Sequence, residues 1–209
     1  MIAPRAPELP RLHAVTDERI ANLPDLADRS RSLAAAGPVA AHARGHALTG
    51  REHLALSRTL ASAFPGRLFV NDRLDVALAV DAVGVQLSAT GLSPEEARRL
   101  RRTWWIGVSV HTPEEAMAAQ AGGADYLLVG PVFATPTHPE ALSLGVEGLA
   151  RFTGFGLPVV AIGGVSGNNA REVMSAGAHG VAMIRALWDA PDPARAAREI
   201  MKEIAWKSS

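Results

Sequence analysis

Cysteine is missing from all 209 residues, and tyrosine occurs only once. The first absence excludes a disulfide framework, a thiolate metal site and a cysteine nucleophile. Neither sign of charge is in excess, since 21 basic and 21 acidic side chains give a formal net charge of zero. That balance argues against non-specific nucleic-acid binding, which needs a basic field around phosphates. No run approaches the roughly 20 apolar residues that a membrane helix needs. Residues 1–10 are proline-rich without a basic start or an apolar stretch, so they do not read as a signal peptide. Neither nucleic acid nor membrane is an expected partner, and the cytoplasm is the expected location.

What is present is a soluble-protein composition, 48% hydrophobic and 20% charged, in a length that suits one domain. Strand-forming runs recur eight times, at 12–15, 39–43, 68–70, 84–87, 106–110, 126–129, 159–162 and 180–184. Most are continuously apolar, as expected of strands covered on both faces. Helical segments are predicted between them at 22–36, 49–63, 74–80, 93–102, 113–121, 146–152, 168–176 and 193–202. Ser93-Pro94-Glu95-Glu96 and Thr112-Pro113-Glu114-Glu115 are helix starts: a cap, a first-turn proline and a capping acid. Ala121-Gly122-Gly123 and Ala176-Gly177 are matching stops on glycine. This alternation predicts an α/β fold, a single (β/α)8 TIM barrel over residues 12–209 behind an N-terminal extension at 1–11. An open doubly wound sheet is the competitor, but no Gly-x-Gly-x-x-Gly follows the first strand.

In such a barrel the site lies at the carboxyl ends of the strands. There the sequence places Asp17, His42, Arg44, His46, Asn71, Asp72, Gln86, Ser88, Ser109, His111, Ile184 and Arg185. Asp17 reads as a helix cap. Arg44, Asn71 and Gln86 need partners, because long polar groups in apolar strands are costly alone. Gly163-Gly164 after the seventh strand is a phosphate signal: paired glycines admit an oxyanion to the backbone, and the segment from Ile184 with Arg185 reaches the same spot. The long connection from Gly130 to Gly145 reads as a binding loop, offering Thr135, Thr137 and the titratable His138. Arg98, Arg99, Arg101 and Arg102 read as a solvated helix face, and the four tryptophans as packing anchors.

Ordered motifs along residues 12 to 200 carry a resemblance. Leu12-His13-Ala14-Val15-Thr16-Asp17, Asn71-Asp72-Arg73-Leu74-Asp75, Gly107-Val108-Ser109-Val110-His111-Thr112, Gly130-Pro131-Val132-Phe133 and Ala161-Ile162-Gly163-Gly164 are similar to the thiamine-phosphate synthase/TenI family. The resemblance implies a TIM barrel of thiamine biosynthesis. The synthase joins a pyrimidine diphosphate to a thiazole phosphate, whereas the TenI branch includes a tautomerase that aromatises the thiazole phosphate. The synthase's Gln-x-Arg-x-Lys motif aligns with His42-Ala43-Arg44-Gly45-His46, its second magnesium carboxylate with Gly91, its Thr-x-Thr-Lys loop with Thr135-Pro136-Thr137-His138, and the serine after its eighth strand with Arg185. The TenI catalytic histidine aligns with Pro131, while Val85-Gln86-Leu87 and His42 look like that branch.

The expectation is therefore a thiazole tautomerase-like isomerase that needs no metal or cofactor. Its acid–base candidates are His138, His42 and His46, with His138 favoured. Arg44, Asn71, Asp72, Gln86, Ser109, Thr135 and Thr137 bind substrate, and Gly163, Gly164, Ile184 and Arg185 bind its phosphate. Two alternatives stand: a thiamine-phosphate synthase using magnesium in an altered site, and a non-catalytic or regulatory binder. The expected partner is a small phosphorylated thiazole, and exposed apolar barrel faces leave a homodimer open.

Overall fold

A computed structural model describes residues 8–135 and 142–205. In chain order the elements are β1 (Leu12–Val15), α1 (Glu18–Ala21), α2 (Leu26–Ala35), β2 (Val39–Ala43), α3 (Gly50–Ala63), β3 (Leu68–Asn71), α4 (Leu74–Ala79), β4 (Gly84–Leu87) and α5 (Pro94–Leu100). They continue as β5 (Trp105–Val110), α6 (Pro113–Ala121), β6 (Tyr126–Val129), α7 (Gly145–Ala150), β7 (Val159–Ile162), α8 (Ala170–Ser175), β8 (Gly180–Met183), α9 (Arg185–Trp188) and α10 (Pro193–Ala205). Each strand pairs in parallel with the next, and β8 closes on β1, so the sheet is an eight-stranded barrel with no free edge. The fold is a (β/α)8 TIM barrel.

Alternation along each strand divides the core in two. Outward residues such as Leu12, Val39, Val70, Val85, Ile106 and Leu127 pack beneath the helices in one cluster. Inward residues including Val15, Ala40, Phe69, Tyr126, Leu128, Val160 and Ala182 fill the barrel as a second. Both faces are dry, which explains the continuous apolar runs. Helix starts follow local chemistry. Ser93 and Thr112 form the expected capping boxes, and Thr49 with Glu52 forms another before α3. Each such cap contributes about 1 kcal/mol.

Local differences from expectation have plain causes. The helix predicted over 22–36 begins later, at Leu26 beyond Pro24, which cannot continue a helical ladder, and a separate short helix α1, capped by Asp17 and ended by Asn22, precedes it. The arginines after Pro94 are not a uniformly solvated face. Arg98 donates to Asp125 at 2.8 Å, and Arg101, its side chain 14% exposed, is paired with Asp81. Trp104 and Trp188 are buried anchors, as expected.

The barrel interior also holds buried polar groups, His13, His42 and Gln86 among them. Burial lowers the His13 pKa from 6.5 to about 4, and the Pro10 carbonyl only partly opposes it. The unfolded chain therefore takes up a proton that the folded chain refuses, and stability falls as pH drops from about 6.5 towards about 4. The loss from His13 is about 3 kcal/mol. Urea midpoints across this range are expected to show it, and His13→Phe to flatten the slope. A wild-type midpoint constant down to about pH 4.5 would refute this account.

Candidate active site

At the carboxyl ends of the strands lies an open cavity of about 630 Å³. Of the residues chosen from sequence, Arg44, His46, Asn71, Asp72, Ser109, Thr135, Gly163, Gly164, Ile184 and Arg185 all line it. Thr137 and His138 lie outside the described residues. His42 and Gln86 point into the barrel beneath the cavity, fully buried, and neither lines it. His42 is therefore not placed to exchange protons with a ligand, because the inward phase of β2 puts its ring in the barrel core. Burial, with His13 adding to it, holds its pKa well below the ordinary histidine value.

Arg44 is positioned by the Thr16 hydroxyl, which accepts from the Arg44 backbone N–H at 2.9 Å and donates to its carbonyl at 2.9 Å. Its guanidinium donates to His46 Nε2 at 2.6 Å, so the imidazole proton of a neutral His46 sits on Nδ1. Partial burial lowers the guanidinium pKa, and Glu18, Asp17 and Asp72 act against that shift. A side pocket of about 150 Å³ opens beside this cation, lined by Arg44, His46, His53, Asp72 and Arg73. Asp72 itself accepts from the Ser88 N–H at 2.8 Å. Across Asp72, a Cβ at Gly91 would lie 3.5 Å from the Asp72 carboxylate, so the position that holds a second acid in the synthase pattern is here bare.

The opposite rim is built from backbone. Gly163 and Gly164 adopt φ of +93° and +64°. Cβ atoms there would lie 2.6 Å from Pro131 Cα and 2.7 Å from the Ala134 carbonyl. Both glycines are thus required by conformation and by space. Asn169 braces the turn, accepting from Ser166 N–H and donating to the Gly164 carbonyl. The Val132 and Phe133 N–H groups bond the carbonyls of Ile162 and Gly163, which draws Thr135 over the cavity. After β8, the first-turn amides of α9 have no intrahelical acceptor and stand beside Arg185.

Two polar partners on the floor have fixed roles. Gln86 Nε2 donates to Ser109 Oγ at 3.0 Å, leaving the Ser109 hydroxyl hydrogen for the cavity. His111 Nδ1 lies 2.6 Å from the Gly130 carbonyl, so Nδ1 carries a proton and a neutral ring keeps its lone pair on Nε2. His111, Ser88 and Ser166 line the cavity but were not among the chosen site residues. His111 stood at a strand end in the sequence, yet its partner comes from the next strand and is invisible there. Among the described residues, no group of three or more His, Asp or Glu side chains is arranged to hold a metal ion.

A closed barrel whose cavity opens at the carboxyl ends of its strands, between a glycine turn and an opposed arginine–carboxylate rim, has the architecture of a TIM-barrel enzyme. The family model described as thiamine monophosphate synthase matches residues 12–187. The thiamine-phosphate synthase of Pyrococcus furiosus is 39% identical over 198 residues, covering 93% of this chain and 94% of that protein. That of Thermus thermophilus is 39% identical over 183 residues, covering 85% and 88%. A solved thiamine phosphate pyrophosphorylase from Pyrococcus furiosus superposes with a TM-score of 0.81 at 37% identity, covering 93% of this chain and 95% of that one. The chain belongs to the thiamine monophosphate synthase family. These relatives carry the synthase name, so the expected placement in the TenI branch gives way to the family as a whole. A 3-hexulose-6-phosphate synthase, TM-score 0.71 at 19% identity over 94% of this chain and 100% of that one, shares the fold.

Proposed function

We propose that the protein is a thiamine-phosphate synthase, joining a pyrimidine diphosphate to a thiazole phosphate. The arrangement that supports this reading is a pair of polar rims suited to anions on facing sides of the cavity, one through Arg44 and one through the glycine turn. Asn71 ends β3 with Asp72 just after it, and Gly163 and Gly164 follow β7, four strands apart in the closed order. A tautomerase acting on one thiazole phosphate needs only one such rim. In the reaction, the thiazole nitrogen forms a bond to the pyrimidine's exocyclic carbon as the carbon–oxygen bond to diphosphate breaks. The electron pair leaves with diphosphate, so the rim must neutralise growing negative charge.

Arg44 supplies a fixed, half-buried cation for that charge, oriented by His46 and Thr16. Gly163, Gly164 and the first turn of α9 hold the thiazole phosphate, with Arg185 beside them. Ser109 donates from the floor. Magnesium is implied by the family. Asp72 is the one carboxylate among the described lining residues, and magnesium is commonly held by one or two carboxylates plus substrate phosphates. Asp72 with the diphosphate's own oxygens fits such an ion, which when bound would neutralise the leaving group.

One observation favours a second reading, the tautomerase expected from sequence. Among the described lining residues Asp72 is the one carboxylate, and the imidazoles His46 and His111 stand in the same cavity. A proton shift uses such groups and no diphosphate cation. Incubation with pyrimidine diphosphate, thiazole phosphate and magnesium is expected to yield thiamine phosphate and diphosphate. Aromatisation of the non-aromatic thiazole carboxylate phosphate, with no coupling, would overturn the synthase in favour of the tautomerase.

A further inference from the structure

Beneath the cavity floor, hydrogen-bond direction can be followed from one ring to the next. His13 Nε2 lies 2.8 Å from the Pro10 carbonyl, and His13 Nδ1 lies 2.8 Å from His42 Nε2. A carbonyl only accepts, so His13 carries its proton on Nε2. Burial holds both rings neutral. His13 Nδ1 is then a lone pair, and His42 must donate to it from Nε2. That leaves His42 Nδ1 as an acceptor, buried and without a partner among the described residues. Asn71 stands two residues beyond Phe69, the cross-strand partner of His42, on the same inward phase of β3, and its Oδ1 is also buried and unpartnered. Two acceptors cannot bond one another. A half-turn of the Asn71 amide supplies the missing donor to His42 and turns the carbonyl oxygen towards the cavity that Asn71 lines.

We propose that His13 and His42 are a positioning pair: by fixing the His42 tautomer they lock the Asn71 amide with its carbonyl oxygen facing the cavity, as an acceptor for an N–H donor on the pyrimidine substrate. The proposal rests on the synthase reading only for the identity of that ligand. The pair sits on β1 and β2 in the inward layer, where the His42 ring also stacks on Phe69 with centroids 4.9 Å apart and planes 6° from parallel. The stack holds the ring plane, while the Pro10 carbonyl sets which nitrogen is protonated.

Long-range proton–nitrogen correlation NMR of the labelled wild-type protein near neutral pH reads both tautomers. Protons on Nε2 of His13 and of His42 are expected, and a proton on His42 Nδ1 overturns the proposal. Kinetics give a second arm. His42→Leu, which has no lone pair, is expected to raise KM for pyrimidine diphosphate roughly tenfold, with kcat and KM for thiazole phosphate nearly unchanged. His42→Gln, whose amide both donates and accepts, is expected to restore KM to within about twofold of wild type. Equal loss for both substrates, a loss confined to kcat, or no rescue by glutamine overturns the proposal. If the wild-type protein forms no thiamine phosphate, the synthase reading fails and the tautomer measurement alone decides this inference.

Discussion

Arg44→Ala is expected to lower kcat/KM for thiamine phosphate formation by roughly a thousandfold. The diphosphate leaves with growing negative charge, and Arg44 is the half-buried arginine beside the Asp72 rim. In a partly desolvated site one such donor is worth more than a surface charge, because water cannot replace it cheaply. His46 does not substitute, since Nε2 already accepts from Arg44 and a neutral imidazole brings no charge. Arg44→Lys keeps the charge but loses the planar fork, so it should recover only part of the activity. Binding of thiazole phosphate, measured by calorimetry without the diphosphate, should stay near the wild-type value. A loss below about fivefold in Arg44→Ala would show that another group neutralises the leaving group.

The barrel was legible because its signals are local. A capping box such as Ser93 with Glu96 spans one helical turn, and the continuous apolar strands follow from burial on both faces. The same double burial hid the phase of each strand. Nothing in the run at 39–43 says that Ala40 and His42 face inward while Val39 and Ala41 face the helices. His42 therefore looked like a site residue next to Arg44, although its ring lies below the floor. His13 was not among the candidate site residues, although pairing of β1 with β2 sets it against His42. Gln86 was correctly judged to need a partner, which is Ser109 on the neighbouring strand.

Space left by small residues was equally silent. A Cβ at Gly107 would lie 2.4 Å from Gln86 Oε1 and 2.5 Å from the Tyr126 hydroxyl, so both polar groups occupy the space beside a position that the sequence marks only as part of an apolar strand. Long-range pairs were hidden for the same reason: the partner of Arg98 is Asp125, beyond an intervening strand and helix. The glycine turn after β7 was the exception. Gly163-Gly164 announces itself because two consecutive left-handed residues at the end of a seventh strand have few alternatives to glycine.

That requirement makes Gly164→Ala the second large expected effect. Alanine at φ +64° costs about 1–2 kcal/mol in backbone conformation alone. Its Cβ would lie 2.7 Å from both the Ala134 carbonyl and the Phe133 Cβ, and 2.9 Å from the Phe133 carbonyl. Those are mainly backbone atoms, which cannot swing aside as a flexible side-chain end can. Residues 133–135 or the glycine turn must move, re-aiming the amides and displacing Thr135 from the rim. KM for thiazole phosphate is expected to rise roughly a hundredfold, with KM for pyrimidine diphosphate little changed because Arg44 and Asp72 stand on the facing side. Gly167→Ala is the matched control: its Cβ would meet nothing closer than Ile200 at 3.9 Å, and its kinetics should equal wild type. If Gly164→Ala raises both KM values together, the glycine turn serves the barrel as a whole. If it raises neither, the thiazole phosphate binds elsewhere in the cavity.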